Sequence, residues 1–96
     1  MLKQWTDIDN DKKFSLAAGN ASHVEGQQTI AIGTGAHAEG QRTQAIGSYS
    51  HSEGSETTAS GSLSHAEGKT TSASGKGAHA EGNNTVAKGD YSHAEG

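Results

Sequence analysis

From Gly19 to Gly96, glycine returns at every seventh position, twelve times, without an insertion or a deletion. That spacing argues against helix, because each glycine in a helix interior costs about 1 kcal/mol relative to alanine. The fuller unit is fourteen residues long and reads A-x-G-x-x-[SA]-H-[AVS]-E-G-x-x-T-x. Five complete copies begin at Ala17, Ala31, Ala45, Ala59 and Ala73, and a sixth runs from Ala87 to Gly96. A strict period of this kind marks a solenoid in which each repeat is one coil stacked on the next.

Composition alone would point to disorder, since Leu, Ile, Val and Phe together number only ten of 96 residues. The repeat overrides this, because a narrow coil can be filled by small side chains and ordered by stacked backbone hydrogen bonds. So thin a core is weak per turn, and the missing burial is expected from neighbouring chains. Cysteine is absent, so no disulfide holds the fold. A net charge of -4, with Lys and Arg scattered singly, argues against a nucleic-acid partner. No stretch approaches a membrane span, and residues 1–20 carry no apolar run of the secretion-signal type.

Residues 1–16 fall outside the period and hold the sole Trp and Phe, so Trp5, Ile8, Phe14 and Leu16 are expected to cap the first coil. The run Asp7 to Asp11 suggests a calcium loop but fails the template. Lys12 stands where the turn glycine belongs, and Ala18 stands at the twelfth position in place of Glu. Residues 17–96 form the repeat region. Each coil contains two extended stretches, such as 29–32 and 36–39, closed by glycine turns at Gly33, Gly40, Gly47 and Gly54.

Side chains alternate across a strand. Superposing the two halves of the unit matches Thr29 and Ala31 with Ala36 and Ala38, so these small residues fill the roll. Ala31, Thr43, Ala45, Ala59, Ala73 and Ala87 are therefore expected inside. Two outer faces remain. One drifts through Leu16/Ala18, Ile30/Ile32, Gln44/Ile46, Thr58/Ser60, Ser72/Ser74 and Val86/Lys88. The other is constant, pairing His23 with Glu25, His37 with Glu39, His51 with Glu53, His65 with Glu67, His79 with Glu81 and His93 with Glu95. Because it does not vary, we take the His-x-Glu face as the inter-chain contact, with the Ile30, Ile32 and Ile46 face as the alternative.

The A-x-G-x-x-[SA]-x-A-x-G rhythm, plainest at Thr29-Ile30-Ala31-Ile32-Gly33 and Gln44-Ala45-Ile46-Gly47, resembles the YadA-like head repeats of trimeric autotransporter adhesins. The resemblance implies an all-β, left-handed parallel β-roll with 14-residue turns, three chains about a threefold axis, and presentation at a bacterial surface to grip host matrix, cells or glycans. Similar repeats occur in phage tail fibres, so a structural shaft in a virion fibre is the alternative. Met1 without a leader favours that alternative. We expect no enzymatic activity and no cofactor.

Six His-x-Glu pairs invite a zinc or nickel reading, but each lacks the third and fourth ligands of a closed site. A hydrogen-bonded ladder that satisfies buried polar groups is the reading we prefer, with no metal assigned. Ser22, Ser50, Ser64 and Ser92 each precede a histidine, yet adjacent strand residues face opposite sides and cannot share a proton. The threonine column Thr29, Thr43, Thr57, Thr71 and Thr85 is expected inside, which argues against ice binding. Variable ligand contacts are expected at the turns, on Tyr49, Leu63 and Tyr91.

Overall fold

The computed structural model describes the backbone of residues 7–8 and 14–96, and the side chains from Ser15 onward. The side chains of Trp5, Ile8 and Phe14, and most of the run from Asp7 to Asp11, lie outside the described residues.

The described chain is all β. A short β1 (Asp7–Ile8) precedes β2 (Phe14–Ala17), and long and short strands then alternate. They are β3 (His23–Gln27), β4 (Ile30–Ala31), β5 (His37–Gln41), β6 (Gln44–Ala45), β7 (His51–Ser55), β8 (Thr58–Ala59), β9 (His65–Lys69), β10 (Ser72–Ala73), β11 (His79–Asn83), β12 (Val86–Ala87) and β13 (His93–Glu95). The long strands stack into one parallel sheet, ordered β13-β11-β9-β7-β5-β3, and the short strands form a second with β1 and β2 at its edge. Every parallel pairing is offset by one repeat: His37 lies against His51, Glu39 against Glu53, Ala45 against Ala59. The molecule is a parallel β-solenoid of about six coils.

The register is fixed by what fits between the sheets. Ala31, Ala38, Ala45, Ala59, Ala66, Ala73 and Ala80 are fully buried, and Ala87 nearly so. The largest fully buried side chains are Thr29, Thr43 and Thr57. Among the described residues no fully buried side chain is larger than threonine, which draws the sheets together, and the molecule measures 36 × 26 × 11 Å. The interior column begins before Ala17. Ser15 is buried in the slot below Thr29, accepts a hydrogen bond from the Thr29 hydroxyl at 3.0 Å, and donates to the Gly26 carbonyl at 2.9 Å. β1 runs antiparallel to β2, Asp7 opposite Ser15, and covers the edge that a parallel stack would otherwise leave open.

Each coil has two kinds of corner. At the first, a non-glycine residue adopts positive φ: Gln28, Arg42, Glu56, Thr70 and Asn84, at 56° to 60°. Its N–H reaches the carbonyl one coil back, as from Arg42 to Gln27 at 2.9 Å, so the backbone ladder continues around the bend. At the second corner, the amide three residues after the glycine closes onto the glycine carbonyl, Ser50 to Gly47 at 3.2 Å.

Gly33 and Gly47 open these second corners, but Gly40 and Gly54 do not lie in turns. They sit inside β5 and β7 at φ of 114° and 111°. Both kinds are required for one reason: a β-carbon at Gly47 or Gly54 would run into the carbonyl of the glycine one coil on, Gly61 or Gly68. The seven-residue clock therefore marks two columns where backbone meets backbone, and only one of them is a turn.

Candidate functional site

The long strands place the six His-x-Glu pairs on the outer face of one sheet, because the alanine, serine or valine between them points inward. Parallel stacking without offset then brings identical side chains together. His37, His51, His65 and His79 are stacked with ring centroids 4.7 Å apart and planes within 2° of parallel. The sheet sets that spacing, since neighbouring strands lie about 4.7–4.9 Å apart. Beside the rings runs an open groove, lined by the glutamates and the glycine after each.

In each interior coil the imidazole Nε2 lies close to its own glutamate: 3.0 Å for His37 and Glu39, 2.9 Å for His51 and Glu53, 3.0 Å for His65 and Glu67, 3.1 Å for His79 and Glu81. The end pairs are looser, 3.6 Å for His23 and Glu25 and 3.2 Å for His93 and Glu95. The expected hydrogen-bonded ladder is not what forms. The Nε2 atoms of His37, His51, His65 and His79 are shielded from solvent and have no hydrogen-bond partner. The carboxylate oxygen is near enough but off the line of the ring N–H, and a hydrogen bond weakens steeply with that angle. Both side chains rise from one face two residues apart, so the carboxylate meets the ring from the side.

Burial pushes the His65 imidazole below its ordinary value, reinforced by His51 and His79 on either side and opposed by Glu67 and Glu53. Desolvation and like charge outweigh the carboxylates, so His65 favours the neutral ring.

The serines before the histidines have a structural task. Ser22, Ser50, Ser64 and Ser92 donate from Oγ to the carbonyl of the glycine three residues earlier, at 2.6–2.7 Å. Where alanine replaces them, at Ala36 and Ala78, the preceding residue is glycine. Gly35 and Gly77 take the positive φ of 67° without strain, whereas Tyr49, Leu63 and Tyr91 hold it as side-chain-bearing residues at 58° to 62°. The threonine column faces inward. Thr57, Thr71 and Thr85 donate to the carbonyls of Glu53, Glu67 and Glu81 at 3.1–3.3 Å, and Thr57 also pairs with Ser52 at 2.6 Å. The buried Thr43 hydroxyl has no partner.

Comparison with known families places these features. The model described as YadA head domain repeat (2 copies) matches residues 12–36, 25–50 and 66–92, well over half of the chain. The chain belongs to the YadA head repeat family. A comparison with curated proteins and another with solved structures gave no match.

On this YadA head repeat the drifting face lies on the short strands. Ile32 is 48% exposed and Ile46 37%, while Ile30 and Leu16 are half-buried. Thr58, Ser60, Ser72 and Ser74 continue the same face. The second corner presents Tyr49 and Tyr91, 62% and 71% exposed, and Leu63. Each tyrosine ring packs over the glycine one coil earlier, Gly35 or Gly77, where a β-carbon would collide with it.

Sequence reasoning missed the first corner. There Arg42 bonds Gln28 at 3.2 Å and Glu56 at 3.0 Å, and Thr70 reaches Glu56 at 3.5 Å, forming an exposed ladder. Aligning the residue two places after each HxEG in successive repeats would have found it.

Proposed function

We propose that the chain is one protomer of a homotrimeric, non-enzymatic head module that adheres to host matrix or cells, displayed at a bacterial outer surface or on a virion fibre. Membership of the YadA head repeat family supports both the trimer and the adhesive role. The single observation that carries the reading is the exposed apolar ledge of Ile32 and Ile46 on an otherwise rigid, polar roll. Fully burying an isoleucine contributes about 1.5–3 kcal/mol, and Ile32 and Ile46 stand side by side on a sheet face, whereas the more exposed Tyr49, Leu63 and Tyr91 stand at a corner and Val86 stands apart near the other end.

This evidence favours the short-strand face for the contact over the His-x-Glu face preferred from constancy alone. Six glutamates stand one coil apart on the His-x-Glu face, while residues 14–96 hold only Arg42, Lys69, Lys76 and Lys88 as basic residues. Gathering three such columns around an axis would desolvate carboxylates without cationic partners, which is strongly unfavourable. The opposite face offers isoleucine at one end, small Ser and Thr in the middle, which let backbones approach, and Val86 with Lys88 in the last coil. Variable outward residues at the second corner, Tyr49, Leu63 and Tyr91, then remain free for ligand.

Immobilised trimer should retain matrix proteins, cells or glycans, and lose that retention on Tyr49→Ala with Tyr91→Ala. A trimer that retains none of them yet resists heat and protease would identify a structural shaft instead.

A further inference from the structure

We propose that the His-x-Glu ladder is a binding site for first-row divalent transition metals such as nickel or zinc, each ion chelated by the imidazole Nε2 and the carboxylate of one coil. The proposal goes beyond adhesion, and it rests on the reading above only in needing this face outside the trimer contact.

Three observations carry it. First, four Nε2 atoms, of His37, His51, His65 and His79, are shielded but unpartnered. An imidazole nitrogen without a hydrogen bond is a ligand atom held in reserve. Second, the nitrogen to oxygen separation in these coils is 2.9–3.1 Å. Two cis ligands on a nickel or copper ion of octahedral or tetragonal geometry, with bonds of about 2.1 Å, stand about 3.0 Å apart, closer than the roughly 3.4 Å of a tetrahedral zinc site. The pair thus has the separation of a chelate and the wrong angle for a hydrogen bond. Third, the ladder repeats: the ligand atoms of His37, Glu39 and His51 lie within 4.8 Å of one another, as do those of His51, Glu53 and His65, and those of His65, Glu67 and His79. The next coil's imidazole is therefore near enough to join after a ring rotation, with solvent completing the shell.

Donor chemistry sets the class of ion. Imidazole with carboxylate suits nickel, zinc and copper, whereas calcium and magnesium select oxygen alone. Ions in successive layers would stand about 4.7 Å apart with no bridging ligand between them, so their mutual repulsion disfavours filling every coil. The four interior pairs should then fill alternately, at about two ions per chain.

The test is calorimetric titration of the purified chain with nickel chloride, and with calcium chloride in parallel, while sedimentation reports the oligomer. Nickel should bind at about two ions per chain, at least tenfold more tightly than calcium, with no change in sedimenting mass. A variant carrying E39Q, E53Q, E67Q and E81Q should weaken nickel at least tenfold. Equal binding of calcium would reveal a column of carboxylates and nothing more. Undiminished nickel binding by the variant would show that the imidazoles act without the glutamates. Either result overturns the proposal. If the variant fails to fold, the nickel to calcium ratio of the unaltered chain decides. A trimer that binds no nickel would overturn this proposal and leave the adhesive reading standing.

Discussion

The two sheets of this roll share a repeat, a core and a register, yet their outer faces have diverged. The long-strand face carries His and Glu in all six coils, while the short-strand face passes from isoleucine through serine to lysine. Inside, the two sheets are under the same constraint, since Ala38 and Ala45 are equally buried and both glycine columns meet backbone. The difference must therefore come from outside the coil. Constancy on one face reflects a stack in which each ring is the next ring's neighbour, so a change in one coil disturbs two others. On the short-strand face, Ile30, Gln44 and Thr58 follow one another within the same sheet pairing, so the stack itself does not specify that column.

The largest expected effect concerns what the faces share. Gly54→Ala places a β-carbon against the Gly68 carbonyl and holds alanine at φ 111°. We expect a loss of about 3–5 kcal/mol from backbone strain and overpacking together, measured by urea unfolding. An equally stable variant would mean that the coils can separate and that the seven-residue clock is not steric.

The faces part company at the next level. Ile32→Ser with Ile46→Ser should lower the trimer's stability by about 0.5–1.5 kcal/mol per side chain, since each is already more than half buried in the protomer, seen as a melting temperature that depends more steeply on protein concentration. The conservative His51→Gln, on the other face, should leave that concentration dependence unchanged. The reverse outcome would return the contact to the ladder.

A smaller contrast lies in the interior. Thr57→Val removes bonds to Ser52 and the Glu53 carbonyl and should cost about 1–2 kcal/mol. Thr43→Val removes a buried hydroxyl that has no partner, and should be neutral or stabilising by up to about 1 kcal/mol. Equal losses at both sites would refute the hydrogen-bond account of the threonine column.

The smallest effect is a pH profile. The His65 pKa is lowered in the folded chain, so between that value and the unfolded reference near 6.5 the unfolded state holds more protons. Its contribution is thus complete above about pH 6.5 and fades as pH falls through the range down to the folded value. The melting temperature should be level at neutrality and decline below about pH 6.5, less so in His65→Gln. A maximum near pH 5 to 6 would indicate charged His and Glu pairs instead.

Much of this architecture was legible in the sequence because strand parity and a strict period leave few choices. The burial of Ala31, Ala45 and Thr43 and the outward pairing of His37 with Glu39 follow from alternation alone. What escaped depends on geometry that alternation does not carry. Gly40 and Gly54 resemble turn glycines in sequence, yet they sit within strands because the backbone of the next coil presses there. Arg42 and Glu56 bend the chain at positive φ without being glycine, held by a ladder bond rather than by residue preference. The two-residue spacing brings the Glu39 carboxylate to the His37 ring, but proximity alone does not reveal that it lies off the line of the ring N–H. The contact face depends on a comparison of exposure with charge, for which side-chain positions are needed.

The central claim is that a core this thin is solid only when its isoleucine ledge is covered by two further copies. Sedimentation equilibrium of the purified chain, at concentrations spanning a hundredfold, tests it most directly. The account predicts a single species of three times 9.8 kDa. A folded, protease-resistant species of one times that mass across the whole range would contradict it.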